Sequence, residues 1–217
     1  NLLENAAVHG PDWEELFQRS STRDLANRPI RRLHAISAAP DSYRVSFHAR
    51  TLDGEVQGAY QGRIRVHAYT AGTLEMSDPV PAYAVDPTGE EGALRRSGHA
   101  VRVNPSATFS RDETVLIFFE LYDLALDEND ETAYRVSYRL AEEGEDPGFF
   151  GRLFGADEPH TVTLETERTG SSPSPAEYAE LDVQEAPPGT YELTVTVRDR
   201  VGGQSVERSR SITLVEP

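Results

Sequence analysis

The sequence predicts an all-β protein: tandem immunoglobulin-like β-sandwiches preceded by a short N-terminal helix. Three observations carry this reading. In Pro187-Pro188-Gly189-Thr190-Tyr191-Glu192-Leu193-Thr194-Val195-Thr196-Val197 a rigid turn leads into strict alternation, with Tyr191, Leu193, Val195 and Val197 on one face. That is a half-buried antiparallel strand approached through a Pro-Gly corner. Val115-Leu116-Ile117-Phe118-Phe119-Glu120-Leu121-Tyr122 is apolar on both faces, as a central strand is. Residues 1–28 look helical, and from Ile30 the period changes to two.

Residues 1–28 read as the helix. Gly10-Pro11-Asp12 is a start signal, and Trp13, Leu16 and Phe17 fall at i, i+3 and i+4. Residues 29–108 form the first predicted sandwich. Its strands are Leu33 to Ser37, Tyr43 to Thr51 and Tyr60 to Thr70, the last two joined by the Asp-Gly turn of Leu52-Asp53-Gly54-Glu55. Leu74 to Val85 is extended but interrupted by Pro79 and Pro81, which predicts an edge strand or an irregular crossing. After the loop at 86–92, His99 to Val103 is a strand closed by Asn104-Pro105, and the domain boundary is expected at 105–112.

Residues 109–217 form the second predicted sandwich. Beyond Val115 to Tyr122 come a turn at Asp127 to Asp130 and an alternating strand through Tyr134, Val136, Tyr138 and Leu140. Strands around Thr161 to Thr166 and Tyr178 to Val183 flank a Ser/Pro linker. A closing hairpin pairs Tyr191 to Val197 with Val206 to Val215 across Gly202-Gly203. Six strands from Val115 onward are close to an immunoglobulin-like set, and Tyr191 stands where a tyrosine corner belongs. The alternative is one elongated domain joined through the central strand at 115–122.

The run Phe119-Glu120-Leu121-Tyr122-Asp123-Leu124, the turn at Asp127 to Asp130, Tyr134-Arg135-Val136-Ser137-Tyr138 and the Pro-Pro-Gly-Thr-Tyr segment carry a family likeness. Residues 97–217 resemble the β-rich C-terminal region of bacterial GWxTD-domain proteins. The resemblance implies an exported protein, periplasmic or extracellular in the cell envelope, and a β-sandwich. It implies no reaction. The Gly-Trp-x-Thr-Asp motif itself is absent, because the single tryptophan sits in Asp12-Trp13-Glu14.

Composition narrows the function classes. The chain has 217 residues, a formal net charge of -16, no lysine among its 21 basic residues and no cysteine. An acidic chain argues against a nucleic-acid partner. Zero cysteine excludes disulfides and thiol chemistry. No stretch approaches the ~20 apolar residues of a membrane helix. Replacement of lysine by arginine fits a GC-rich genome, and carboxylate excess fits adaptation to salt, so a halophilic origin predicts stability that rises with ionic strength.

Candidate sites are few. The six histidines, His9, His34, His48, His67, His99 and His160, show no zinc-binding spacing. No serine stands at a nucleophile elbow and no Gly-rich loop opens a helix. Asp127, Asn129 and Glu131 place oxygens at alternating positions, as a calcium-wrapping loop would, whereas a solvated hairpin turn needs no metal. Phe149, Phe150, Leu153 and Phe154 crowd into one loop flanked by acidic residues; exposed, they would mark a partner site, and folded back they would plug one end of the sandwich or fill the interdomain contact. The reading is therefore a non-catalytic module of an exported bacterial protein, for protein contact or assembly in the envelope, with no cofactor. The alternatives are a carbohydrate-binding module presenting Tyr60, Tyr69 and Tyr83, and an accessory domain of an enzyme whose catalytic part lies upstream.

Overall fold

The computed structural model describes residues 2–9, 15–23, 36–51, 53, 55, 57–87, 93–143 and 161–217. Every regular element among them is a β-strand. The chain divides into two compact units, Asn1–Tyr69 and Thr70–Pro217.

Unit 1 is one antiparallel sheet. Strands β1 (Leu2–His9), β2 (Glu15–Arg23), β3 (Asp41–Thr51) and β4 (Gln57–Val66) lie in the order β2-β1-β3-β4. This corrects the N-terminal helix, because β1 and β2 occupy the segment predicted to be helical. The reason is long-range pairing: all eight residues of β1 ladder onto Arg44 to Thr51 of β3. Such a ladder overrides a weak local i, i+3, i+4 pattern. Trp13 lies outside the described residues.

The strand predicted at Leu33 to Ser37 is also corrected where it is described, since Ile36 to Ala39 are irregular and pairing starts only after Pro40. Its first residues, 33–35, lie outside the described residues. The β3–β4 turn is held by Asp53, whose Oδ1 accepts from Thr51 Oγ1 at 2.5 Å and from Glu55 N at 3.0 Å.

Unit 2 is built from two sheets. One runs β13 (Ala176–Leu181), β10 (Val115–Tyr122), β6 (Val80–Asp86), β8 (His99–Val103), β7 (Leu94–Arg96), with β5 (Glu75–Met76) also on β10. The other runs β12 (Thr161–Gly170), β11 (Thr132–Glu142), β14 (Gly189–Asp199), β15 (Ser205–Val215), β9 (Thr108–Ser110). Alternation sends Val115, Ile117, Phe119 and Leu121 of β10 into one buried cluster with Tyr134, Val136, Tyr138 and Leu140 of β11 and Tyr191, Leu193, Val195 and Val197 of β14. Both sheets contribute, so this is the core of a two-layered β-sandwich. The other face of β10 places Phe118 in a smaller cluster with Ala82 and Val101. That explains why β10 is apolar on both sides.

Two further expectations meet the structure here. The division between units falls at Tyr69/Thr70, whereas residues 105–112 lie inside unit 2, where β9 pairs parallel with β15. And β6, expected as an edge strand or an irregular crossing because of Pro79 and Pro81, sits between β10 and β8 as the irregular kind. It tolerates Pro81 because it changes partner: Val80 to Ala82 pair with β10, Ala82 to Asp86 pair with β8, and the register shifts between Ala82 and Ala84. Proline is confined to places where its missing N–H is not demanded, and such an irregularity is one.

Candidate functional site

The strongest concentration of polar chemistry lies on the second face of β10. There Glu120, 6% exposed, follows Leu116 and Phe118 in the alternation. The β7–β8 hairpin supplies its partners. Ser97 and Gly98, with φ of 43° and 79°, form the two-residue turn of that hairpin; positive φ at both positions is the type I′ signature. The turn carries Arg96 and Ser97 to Glu120. Arg96 donates to Glu120 Oε2 from Nε at 2.9 Å and from Nη2 at 2.6 Å. Ser97 Oγ donates to Oε1, and Tyr122 OH donates to Oε2 at 3.0 Å. Behind it, Ser77 Oγ accepts the Glu120 N–H at 3.0 Å.

Burial pushes the Glu120 carboxyl up, but the hydrogen bonds from Ser97, Arg96 and Tyr122 outweigh it and hold the group below the ordinary glutamate value. A general acid needs the opposite shift, and a general base needs a lone pair open to substrate. Both oxygens of Glu120 are engaged by this chain's own donors. The arrangement is a staple that fastens the β7–β8 hairpin over Phe118. His99 completes it, donating from Nδ1 to Ser97 O at 3.0 Å and standing 6.0 Å from the rings of Phe118 and Tyr178.

Two other buried carboxylates act the same way. Glu177 on β13 accepts from Tyr134 OH on β11 and, at 3.5 Å, from Arg168 Nε on β12, which ties one sheet to the other. Burial, then the hydrogen bond to Glu177, pushes the Tyr134 phenol well above its usual range. Asp199 Oδ1 accepts from the N–H of Val201 at 2.9 Å and of Gly202 at 3.0 Å, and its Oδ2 accepts from Ala125 N at 3.0 Å. A Cβ on Gly202 would stand 2.6 Å from Asp199 Oδ2, so this turn requires glycine.

The residues singled out from sequence fare unequally. Tyr191 is fully buried and its OH donates to Pro187 O at 2.7 Å, the hydrogen bond of a tyrosine corner. At the metal candidate Asp127, Asn129 and Glu131, the turn uses one of the oxygens itself. Asp127 Oδ1 accepts from Asn129 N at 2.8 Å and Glu131 N at 3.0 Å, and these backbone bonds hold its carboxyl below the usual range. The loop closes on itself, and no metal-holding group of three or more His, Asp or Glu occurs among the described residues. Phe149, Phe150, Leu153 and Phe154 lie outside the described residues.

Of the three tyrosines weighed as a sugar platform, Tyr60 is 63% exposed on β4 and its ring lies over Gly62. Tyr69 is exposed in the same unit, while Tyr83 belongs to unit 2, beside Arg102 at 6.0 Å.

Sequence reasoning passed over Glu120, Glu177, Asp199 and a second tyrosine, Tyr43. The signals were present. Glu120 interrupts an apolar run, and Asp199 extends the inward series of β14 by one step. Tyr43 follows Pro40 by three residues, as Tyr191 follows Pro188, and its OH donates to Ala39 O at 2.6 Å.

No protein-family model matches the chain, and no curated protein matches it. Among the described residues, no helix is long and apolar enough to cross a membrane.

Proposed function

We propose that the chain is a non-catalytic contact module of an exported bacterial protein, with unit 2 as scaffold and unit 1 as a binding sheet for assembly in the cell envelope. The observation that carries this is the division of charge. Unit 1 holds nine arginines against eight carboxylates, and unit 2 holds twelve against twenty-nine. The scaffold's buried carboxylates Glu120, Glu177 and Asp199 are engaged in holding strands together, while unit 1 presents an exposed, polar strand β4 at the edge of its sheet.

The scaffold reads as immunoglobulin-like. What supports this is the sheet order β12-β11-β14-β15, a parallel β9 beside β15, the β10–β13 pair opposite, and the corner at Tyr191. The likeness of residues 97–217 to the β-rich region of GWxTD-domain proteins supports the exported setting.

The test is cosedimentation of the purified chain with isolated bacterial cell envelopes. The chain should pellet with them, and Glu120→Gln and Glu177→Gln should pellet equally well while unfolding more easily. A chain that stays in the supernatant overturns the reading.

A further inference from the structure

We propose that β4 of one copy of this chain pairs edge to edge with β12 of a second copy; this rests on the contact-module reading and names its partner. Unpaired strand edges invite pairing, and native sheets blunt them with short strands, proline or bulges. The outer strands β7 and β9 are cut to three residues each. Strands β4 and β12 carry no such device. Each has ten residues, ends its sheet, contains no proline and keeps an unshifted register with its inner neighbour. Among the described residues no strand pairs with the outer edge of either, and the two belong to separate sheets.

The two edges are complementary in one alignment. Ile64, 50% exposed, shares a face of β4 with Val66 and stands opposite the buried Tyr43. Leu164, 38% exposed, shares the core face of β12 with Val162, the two standing opposite Tyr138 and Leu140. Laying Gly58 to Val66 antiparallel to Val162 to Gly170 puts Ile64 opposite Leu164 and Val66 opposite Val162. On the other face the same alignment puts Arg63 opposite Glu165, Gln61 opposite Glu167 and Arg65 opposite Thr163. Residues directly opposite share a face, and apolar pairs and opposite charges there stabilise a sheet. Parallel strands with Arg63 on Glu165 would instead set Ile64 against Thr166 and Leu164 against Gly62, so the antiparallel direction is favoured.

The carboxylates fit this alignment one by one. Glu167 already meets Arg135 across β11–β12 at 2.9 Å, and it receives the neutral Gln61. Glu165 stands opposite Ser137, whose Oγ donates to it at 3.1 Å, with Arg135 on the diagonal at 3.6 Å; it receives Arg63. Both glutamates and Arg63 are exposed, and no like charges fall directly opposite one another. The contact joins unlike edges, so it is heterologous and repeats from copy to copy unless it closes into a ring.

Sedimentation velocity of the full chain from about 10 μM to about 1 mM tests this, because contacts of small area are weak. The sedimentation coefficient should rise with concentration. R63E and E165R, each alone, set like charges opposite one another and should weaken association about fivefold or more. Mixed in equal amounts, the two variants bring opposite charges together again and should associate as the parent does, a rescue that loss of fold cannot imitate. If E165R unfolds more easily in urea, I64D takes its place, since a carboxylate against Leu164 should weaken association by a similar factor. A sedimentation coefficient constant over that range, undiminished association of folded variants, or a mixture of folded R63E and E165R no better than its components each overturns the proposal. A chain that stays monomeric yet cosediments with cell envelopes removes the self-pairing and leaves the contact-module reading standing.

Discussion

Unit 1 and unit 2 start a strand by the same device and bury very different cores. In each, a proline precedes a tyrosine by three residues, and the phenol donates to the carbonyl four residues back, at 2.6 Å for Tyr43 and 2.7 Å for Tyr191. Tyr191 joins a cluster fed by two facing sheets. Tyr43 is the single buried residue among the described side chains of unit 1. The corner is thus a local instruction, written in the spacing of Pro and Tyr and independent of a sandwich. A core is not local, because it needs a second layer.

The largest expected effect separates the units by packing. Phe119→Ala empties a fully buried position between the sheets and should cost about 3–5 kcal/mol, measured by urea unfolding. Tyr60→Ala, on exposed β4, should stay within about 0.5 kcal/mol. Comparable losses would mean that the two units share one cooperative core.

Next comes the staple. Glu120→Gln should cost about 1–3 kcal/mol at neutral pH. A carboxyl held below its unfolded value stabilises the fold above that value and stops doing so as pH falls through the folded value. Wild-type stability should therefore decline on acidification below the ordinary glutamate value of 4.5, and Glu120→Gln should flatten that part of the profile. An unchanged acid limb would remove Glu120 from the account.

Smaller again are the corners. Tyr191→Phe and Tyr43→Phe each remove one hydroxyl donor, worth about 1 kcal/mol. Amide exchange should show the first loosening β14 and its neighbours and the second loosening only β3 and β4. Exchange that rises in both units for either variant would break the comparison.

The smallest effect is that of salt. Unit 2, with its carboxylate excess, should gain urea resistance between about 0.1 M and about 2 M KCl, while β3 and β4 of unit 1 change little. Coincident midpoints for unit 2 would remove salt adaptation as the reason for the missing lysines.

Most of unit 2 was legible because alternation and burial coincide in it. Val115 to Tyr122, the strand through Tyr134 to Leu140 and the closing hairpin all stand where period two places them. What escaped was non-local. The pairing of β1 with β3 is invisible to a search for i, i+3, i+4, and the position of β6 follows from a change of partner at Ala82. Asp127 shows the same limit at the site level. That Asp127 Oδ1 takes two backbone N–H groups of its own turn is seen only in the fold. Glu120 was readable as an anomaly in an apolar run, but its partners Arg96 and Ser97 were not, since only the hairpin brings them there.

The parallel β9–β15 pair has a consequence in time. Thr108 to Ser110 wait for Thr213 to Val215, Leu74 N for Gln204 Oε1 and Glu75 for Arg208. Contacts so distant along the chain make folding slow, of order milliseconds to seconds. During synthesis, strand β10 emerges with both faces apolar nearly a hundred residues before β15 can close the sheet it faces. Until then the core face of β10 lacks part of the sheet that buries it, and the last strand to be made completes that cover.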